Sequence, residues 1–140
     1  MLLEERFDRD ALAAWQGRRL GALLSQVDGR NPFYTRKLRD AGVRIDRLRL
    51  PADLRMLPLT TKGELVADQE QAPPWGTSLT EPIERYTRYC QTSSTTGRPL
   101  RWLDTNESWQ WVLDCWKTVY RAARVGVGDR VFFPFSFGPF

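Results

Sequence analysis

The chain contains no histidine and only two cysteines, Cys90 and Cys115. Without histidine there is no Ser-His-Asp triad and no Cys-His pair to activate a nucleophile. Two isolated cysteines do not complete an ordinary zinc site, and each reads more simply as a small core residue. No catalytic and no metal-ligating residue is therefore nominated, and any chemistry here is expected to rest on binding and electrostatics. The sequence also lacks an apolar run of the ~20 residues that a membrane-spanning helix needs, and it shows no basic-then-apolar leader at its start. A cytoplasmic location without a membrane partner is the expectation.

What is present is ordinary for a soluble globular chain, apart from its aromatic content. Apolar residues make up 41% of the 140, enough to bury a core, and the six tryptophans and seven phenylalanines need cover. Lysine and arginine number 21 against 17 acidic residues, a net charge of +4. The basic clusters, Arg18-Arg19 and the run from Arg44 to Arg55, are interleaved with Asp and Leu. That pattern suits solvated helix faces better than a nucleic-acid stripe, so an anionic small molecule is the expected partner.

Local signals divide the chain into a helical part, 1–82, and an α/β part, 83–140. From Asp8 to Asp28 the apolar residues Leu20, Leu23, Leu24 and Val27 share one helical face, which Leu12 and Trp15 extend. Asp8 or Asp10 is placed to cap this helix and Gly29 to stop it. Asn31 followed by Pro32 predicts a second helix to Ala41, ended by Gly42, with Phe33, Tyr34 and Leu38 as packing residues. Pro51 to Leu57 reads as a short helix stopped by Pro58. Thr61-x-x-Glu64 is a capping box that opens a helix through about Asp68, with Leu65 as its apolar contact. The stretch from Gln69 to Pro82, rich in proline, glycine and hydroxyl residues, reads as a loop held down by Trp75.

Ile83 to Gln91 alternates as a strand, and Leu100 to Leu103 forms a shorter one. Between them lies Thr92-Ser93-Ser94-Thr95-Thr96-Gly97-Arg98-Pro99. Small side chains let an anion approach the backbone N–H groups, hydroxyls add donors, Gly97 permits φ > 0, and Pro99 fixes the exit. The turn is not a P-loop of the G-x-x-x-x-G-K-[ST] kind, because Thr92 and Arg98 stand where that motif has glycine and lysine. Composition alone favours a surface loop rich in Ser and Thr. Flanking strands favour an ordered, hairpin-like grip on phosphate.

Beyond the turn, Asp104, Thr105 or Asn106 can cap a helix from Glu107 to Arg124. Its stripe of Trp109, Val112, Leu113, Trp116, Tyr120 and Ala123 is expected to be core, with Trp111 off the stripe and facing a neighbour. Arg130 to Phe133 then begins another strand, which predicts a right-handed crossover in a mixed or parallel sheet. Four phenylalanines, Phe133, Phe135, Phe137 and Phe140, follow with nothing downstream to cover them. Burial of each is worth about 1.5–3 kcal/mol, so the chain reads as an N-terminal fragment.

The stretch Thr-Ser-Ser-Thr-Thr-Gly-Arg-Pro resembles the phosphate-binding signature of adenylate-forming, AMP-binding enzymes, with Ser94 where that signature usually has glycine. Its flanks resemble the phenylacetate-coenzyme A ligase branch, through Asn31-Pro-Phe-Tyr-Thr-Arg-Lys-Leu, Leu57-Pro-Leu-Thr-Thr-Lys-Gly-Glu-Leu and Val127-Gly-Asp-Arg-Val-Phe-Phe. These motifs run in the family's order over most of the chain. The resemblance implies an α/β fold, the start of the large N-terminal domain of such an enzyme, within relatives several times longer. It implies activation of an aryl-acetic or similar carboxylic acid with ATP and Mg2+, then transfer of the acyl group to coenzyme A. It places Thr92, Ser93, Ser94, Thr95, Thr96 and Gly97 at the nucleotide's phosphates, with Arg98 as an electrostatic helper. The adenine pocket, acyl pocket and C-terminal lysine of the family have no counterpart here, so the 140 residues are expected not to turn over alone. The remainder of the polypeptide, or another copy, is then the expected protein partner. Two alternatives remain at this point: an adenylating relative with a different acceptor, such as a coenzyme F420-type cofactor or a carrier protein, and a non-catalytic stub or interaction module.

Overall fold

A computed structural model describes residues 8–93 and 97–134 of the chain. These fall into two compact units, divided between Pro82 and Ile83.

The first unit is helical. Helix α1 spans Arg9–Val27, and the Asp8 carboxylate accepts the Ala11 N–H at its start. Helix α2 spans Pro32–Asp40, with Asn31 as its cap and Pro32 in the first turn, as the sequence predicts. A 3-10 turn at Ile45–Arg47 and another at Ala52–Met56 follow, the second standing where a short helix is expected. Helix α3 spans Lys62–Gln71 behind the full capping box, in which Thr61 and Glu64 bond each other's backbone N–H. It outruns its predicted end at Asp68, because the Asp68 carbonyl still accepts the Ala72 N–H before Pro73 stops the chain.

Leu24, Phe33, Leu38 and Leu65 form the buried apolar set of this unit. The buried seam of α1 runs through Gly17 and Leu24, whereas Leu23, expected on the same face, is 53% exposed. Gly17 is needed because the chain at Leu50 comes in too close for a side chain. A Cβ built there would sit 2.6 Å from the Leu50 carbonyl oxygen. Two polar pins hold the segment after α3 in place. Asn31, 2% exposed, donates through Nδ2 to the Ser78 carbonyl at 2.7 Å and Thr80 Oγ1 at 3.0 Å while its Oδ1 caps Tyr34. Buried Asp68 accepts the Thr77 N–H and hydroxyl, both at 2.6 Å. Burying these groups is tolerable because every donor and acceptor in the pins has a partner.

The second unit opens with a 3-10 turn at Ile83–Arg85 and continues as strand β1, Tyr86–Gln91. Strand β2, Arg101–Thr105, pairs with it antiparallel in the register Gln91↔Arg101, Cys90↔Trp102, Tyr89↔Leu103 and Arg88↔Asp104, with an irregularity between Tyr86 and Arg88. Helix α4, Asn106–Ala122, leaves β2 with no loop between them, since Thr105 both ends the strand and accepts the Ser108 N–H. The whole is α/β, with helices first and then a small sheet followed by a helix, as the sequence indicates.

The sheet of the described residues is the two-stranded antiparallel hairpin expected around the turn, the only pairing that so short a connection allows. Other expectations for this unit are corrected. Arg130–Phe133 forms no strand among the described residues, where it finds no neighbour to share ladder bonds with. The α4 stripe is not core: α4 has no buried residue, with Leu113 40% and Trp116 49% exposed and Trp109, Val112 and Tyr120 half-buried. An amphipathic pattern reports that a face suits burial, but two short strands supply too little surface to bury it. For the same reason Cys115, read as core, is exposed, while Cys90 is half-buried.

Candidate functional site

The hydroxyl-rich stretch lies where the sequence puts it, between the paired ends of β1 and β2. Gln91↔Arg101 is the last strand pair, and Thr92 and Leu100 face each other one step beyond it. The Thr92 N–H donates to the Leu100 carbonyl at 2.9 Å, and the Leu100 N–H donates to Thr92 Oγ1 at 3.0 Å. Leu100 is the most deeply buried apolar residue described, at 3% exposure, so the base of the turn is fixed from inside the unit. Thr92 is half-buried, whereas Ser93, Gly97, Arg98 and Pro99 are exposed to solvent. Ser94, Thr95 and Thr96 lie outside the described residues. The hairpin thus brings Thr92 and Ser93 to one side of the turn and Gly97 and Arg98 to the other.

Charge and aromatic contacts stiffen the hairpin below the turn. The Arg88 guanidinium stacks over the Trp109 ring at 4.4 Å, tying β1 to α4, and Arg85 pairs with Glu107 at 2.9 Å. Thr87 Oγ1 lies 2.8 Å from Asn106 Oδ1, and Asp104 accepts the Ser108 hydroxyl at 2.9 Å. Burial, with the negative charge of Asp104 adding to it, pushes the Cys90 thiol above its ordinary range, which suits a packing residue rather than a nucleophile. The roles of Leu100 and Arg88 are not legible from sequence reasoning. The only signal for Leu100 is an apolar residue directly after Pro99, and nothing local pairs Arg88 with Trp109.

A groove of about 390 Å3 in the helical unit, lined by Phe33, Arg36, Lys37, Glu64 and Asp68 among others, is the rival location. Its cations are already matched: Lys37 pairs with Glu64, and Arg36 lies 3.6 Å from Asp68. The bonds from Lys37 and from Thr61 hold the Glu64 carboxyl at about 2, well below its usual range. An incoming anion would have to displace those carboxylates, so the groove is a weaker candidate than the turn.

The fold is shared with part of a solved coenzyme A ligase. It superposes on 2-hydroxyisobutyryl-CoA ligase, solved in the postadenylation state with R3-HIB-AMP, with a TM-score of 0.80 over 88% of this chain and 25% of that one, at 21% identity. Sequence comparison then gives the particular relatives. The chain is similar to the phenylacetate-coenzyme A ligase of Escherichia coli (strain K12), 32% identical over 135 residues, covering 94% of this chain and 29% of that protein. It is also similar to the phenylacetate-coenzyme A ligase of Aromatoleum evansii, 31% identical over 140 residues, covering 97% of this chain and 30% of that protein. No family model matches the chain. The resemblance to phenylacetate-coenzyme A ligases of the adenylate-forming kind therefore stands, and the chain spans about 30% of the length of these curated relatives. None of the described helices is long and apolar enough to cross a membrane.

Proposed function

We propose that the chain is a portion of an acid-coenzyme A ligase. The parent enzyme activates a carboxylic acid, an aryl-acetic acid foremost, with ATP to an acyl-adenylate and pyrophosphate, and passes the acyl group to coenzyme A. The observation that carries this is the position of the hydroxyl-rich stretch: it leaves and rejoins a paired hairpin whose base is closed by the Thr92 and Leu100 bonds, in a fold shared with a coenzyme A ligase solved with R3-HIB-AMP. The division into a helical scaffold, 1–82, and the start of a nucleotide-binding unit, 83–140, belongs to the same proposal.

The chemistry accounts for the residue types. An acid's carboxylate oxygen attacks the α-phosphorus in line, forming the acyl-phosphate bond as the bond to pyrophosphate breaks. Negative charge grows on the leaving phosphates, so fixed donors around them lower the barrier. Ser93, Ser94, Thr95, Thr96 and the Gly97 N–H supply such donors, Thr92 shapes their loop, and Arg98 adds positive charge. Mg2+ would arrive with ATP as part of the substrate. Among the described residues no three His, Cys, Asp or Glu side chains are grouped to hold an ion.

The test is exchange of labelled pyrophosphate into ATP in an intact ligase that carries this sequence, dependent on added phenylacetate. Thr96→Ala or Gly97→Val should lower it roughly tenfold or more while circular dichroism stays unchanged. Undiminished exchange in both variants would reduce the turn to a surface loop. The 140 residues alone are expected to give none.

A further inference from the structure

We propose that Thr92 is a positioning residue of the turn: its hydroxyl oxygen accepts the Leu100 N–H and closes the base of the loop, instead of meeting the anion. The proposal rests on the phosphate-gripping role for the identity of the ligand, but its structural half stands separately.

A regular antiparallel pair at the register of Thr92 and Leu100 would exchange two backbone bonds. Here the first is present, from the Thr92 N–H to the Leu100 carbonyl at 2.9 Å. For the second, the Leu100 N–H goes to Thr92 Oγ1 at 3.0 Å, so a side chain takes the place of a carbonyl. The ladder therefore ends in a pair held from both sides, which fixes Thr92 and Leu100 together at the base of the turn. Threonine suits this task because its β-branch stiffens χ1 and keeps the oxygen in place. A hydroxyl carries one donor and two acceptor positions, and Leu100 occupies one of the acceptor positions. What sets Thr92 apart from its neighbours in the turn is burial: it is half-buried beside the 3% exposed Leu100, while Ser93, Gly97 and Arg98 face solvent.

Thr92→Val keeps the shape and removes the oxygen, and Thr92→Ser keeps the oxygen. In the 140-residue chain, amide hydrogen exchange at Leu100 should quicken roughly five- to tenfold in the valine variant, the effect of losing one ordinary hydrogen bond, and return to the parent rate in the serine variant. Titration with inorganic pyrophosphate should show weaker binding in the valine variant and recovery in the serine variant, in step with the exchange rates. Unchanged Leu100 exchange in the valine variant overturns the proposal. So does weakened pyrophosphate binding without faster exchange, which would make Thr92 a direct ligand. If the valine variant does not fold, Thr92→Ala is read by the same two measurements. Failure of the parent chain to bind pyrophosphate, with the exchange pattern as expected, would count against the phosphate grip and still support the clamp.

Discussion

Gly17 and Gly21 sit one turn apart on α1, and replacing each by alanine tests the close approach that shapes the helical unit. Both substitutions gain the same intrinsic helix propensity, about 1 kcal/mol. Their surroundings differ. At Gly21 the new methyl would lie 3.7 Å from Leu50 Cδ1, an ordinary contact. At Gly17 it would lie 2.6 Å from the Leu50 carbonyl oxygen, 2.9 Å from its carbon and 3.1 Å from Pro51 Cδ. Those atoms are mainly backbone, which cannot swing aside as a side-chain tip can, so relief requires the Leu50-Pro51 segment to shift. Overpacking of this kind costs about 1–3 kcal/mol. Because propensity cancels between the variants, the difference in their unfolding free energies measures the clash itself. Urea denaturation should place Gly17→Ala about 1–3 kcal/mol below Gly21→Ala, with Gly21→Ala at or above the parent. Equal stability of the two variants would refute the close approach.

The Asp68 pin gives a second measurement: Asp68→Ala leaves the Thr77 N–H without its acceptor and should destabilise the chain by about 1–3 kcal/mol in urea, with Asp68→Asn, which keeps one oxygen, losing less. The Glu64 carboxyl offers a pH signature. Its folded-state value near 2 lies below the ordinary 4.5, so its contribution is present above 4.5 and disappears as pH falls from there toward 2. Glu64→Gln should therefore flatten the acid limb of a stability-versus-pH curve over that window; an identical limb in the variant would mean that the bonds from Lys37 and Thr61 do not hold in solution.

Much of the fold was legible because its signals are local. Asp8, Asn31-Pro32 and Thr61-x-x-Glu64 announce their helices through a few neighbouring residues, and each is found capping as read. The hairpin around the hydroxyl-rich turn was legible for the same reason, since alternation and turn chemistry sit side by side. What escaped depends on distant parts of the chain. Gly17 looks like a blemish in a helix until Leu50 arrives beside it, and Asp68 looks like a helix end until Thr77 folds back onto it. The stripe of α4 and Cys115 were assigned to a core because periodicity describes a face without saying what lies opposite. In the candidate site, residue types pointed to phosphate chemistry, but the bond from Leu100 to Thr92 could not be foreseen, since register had to be known first.

Thr105 belongs at once to the end of β2 and to the start of α4. A connection of zero length has no slack, and the stacked Arg88 and Trp109 stiffen the joint from the other strand. The end of β2 therefore cannot be displaced without carrying the first turn of α4 with it, and a substitution at Thr105 is felt by both elements at once.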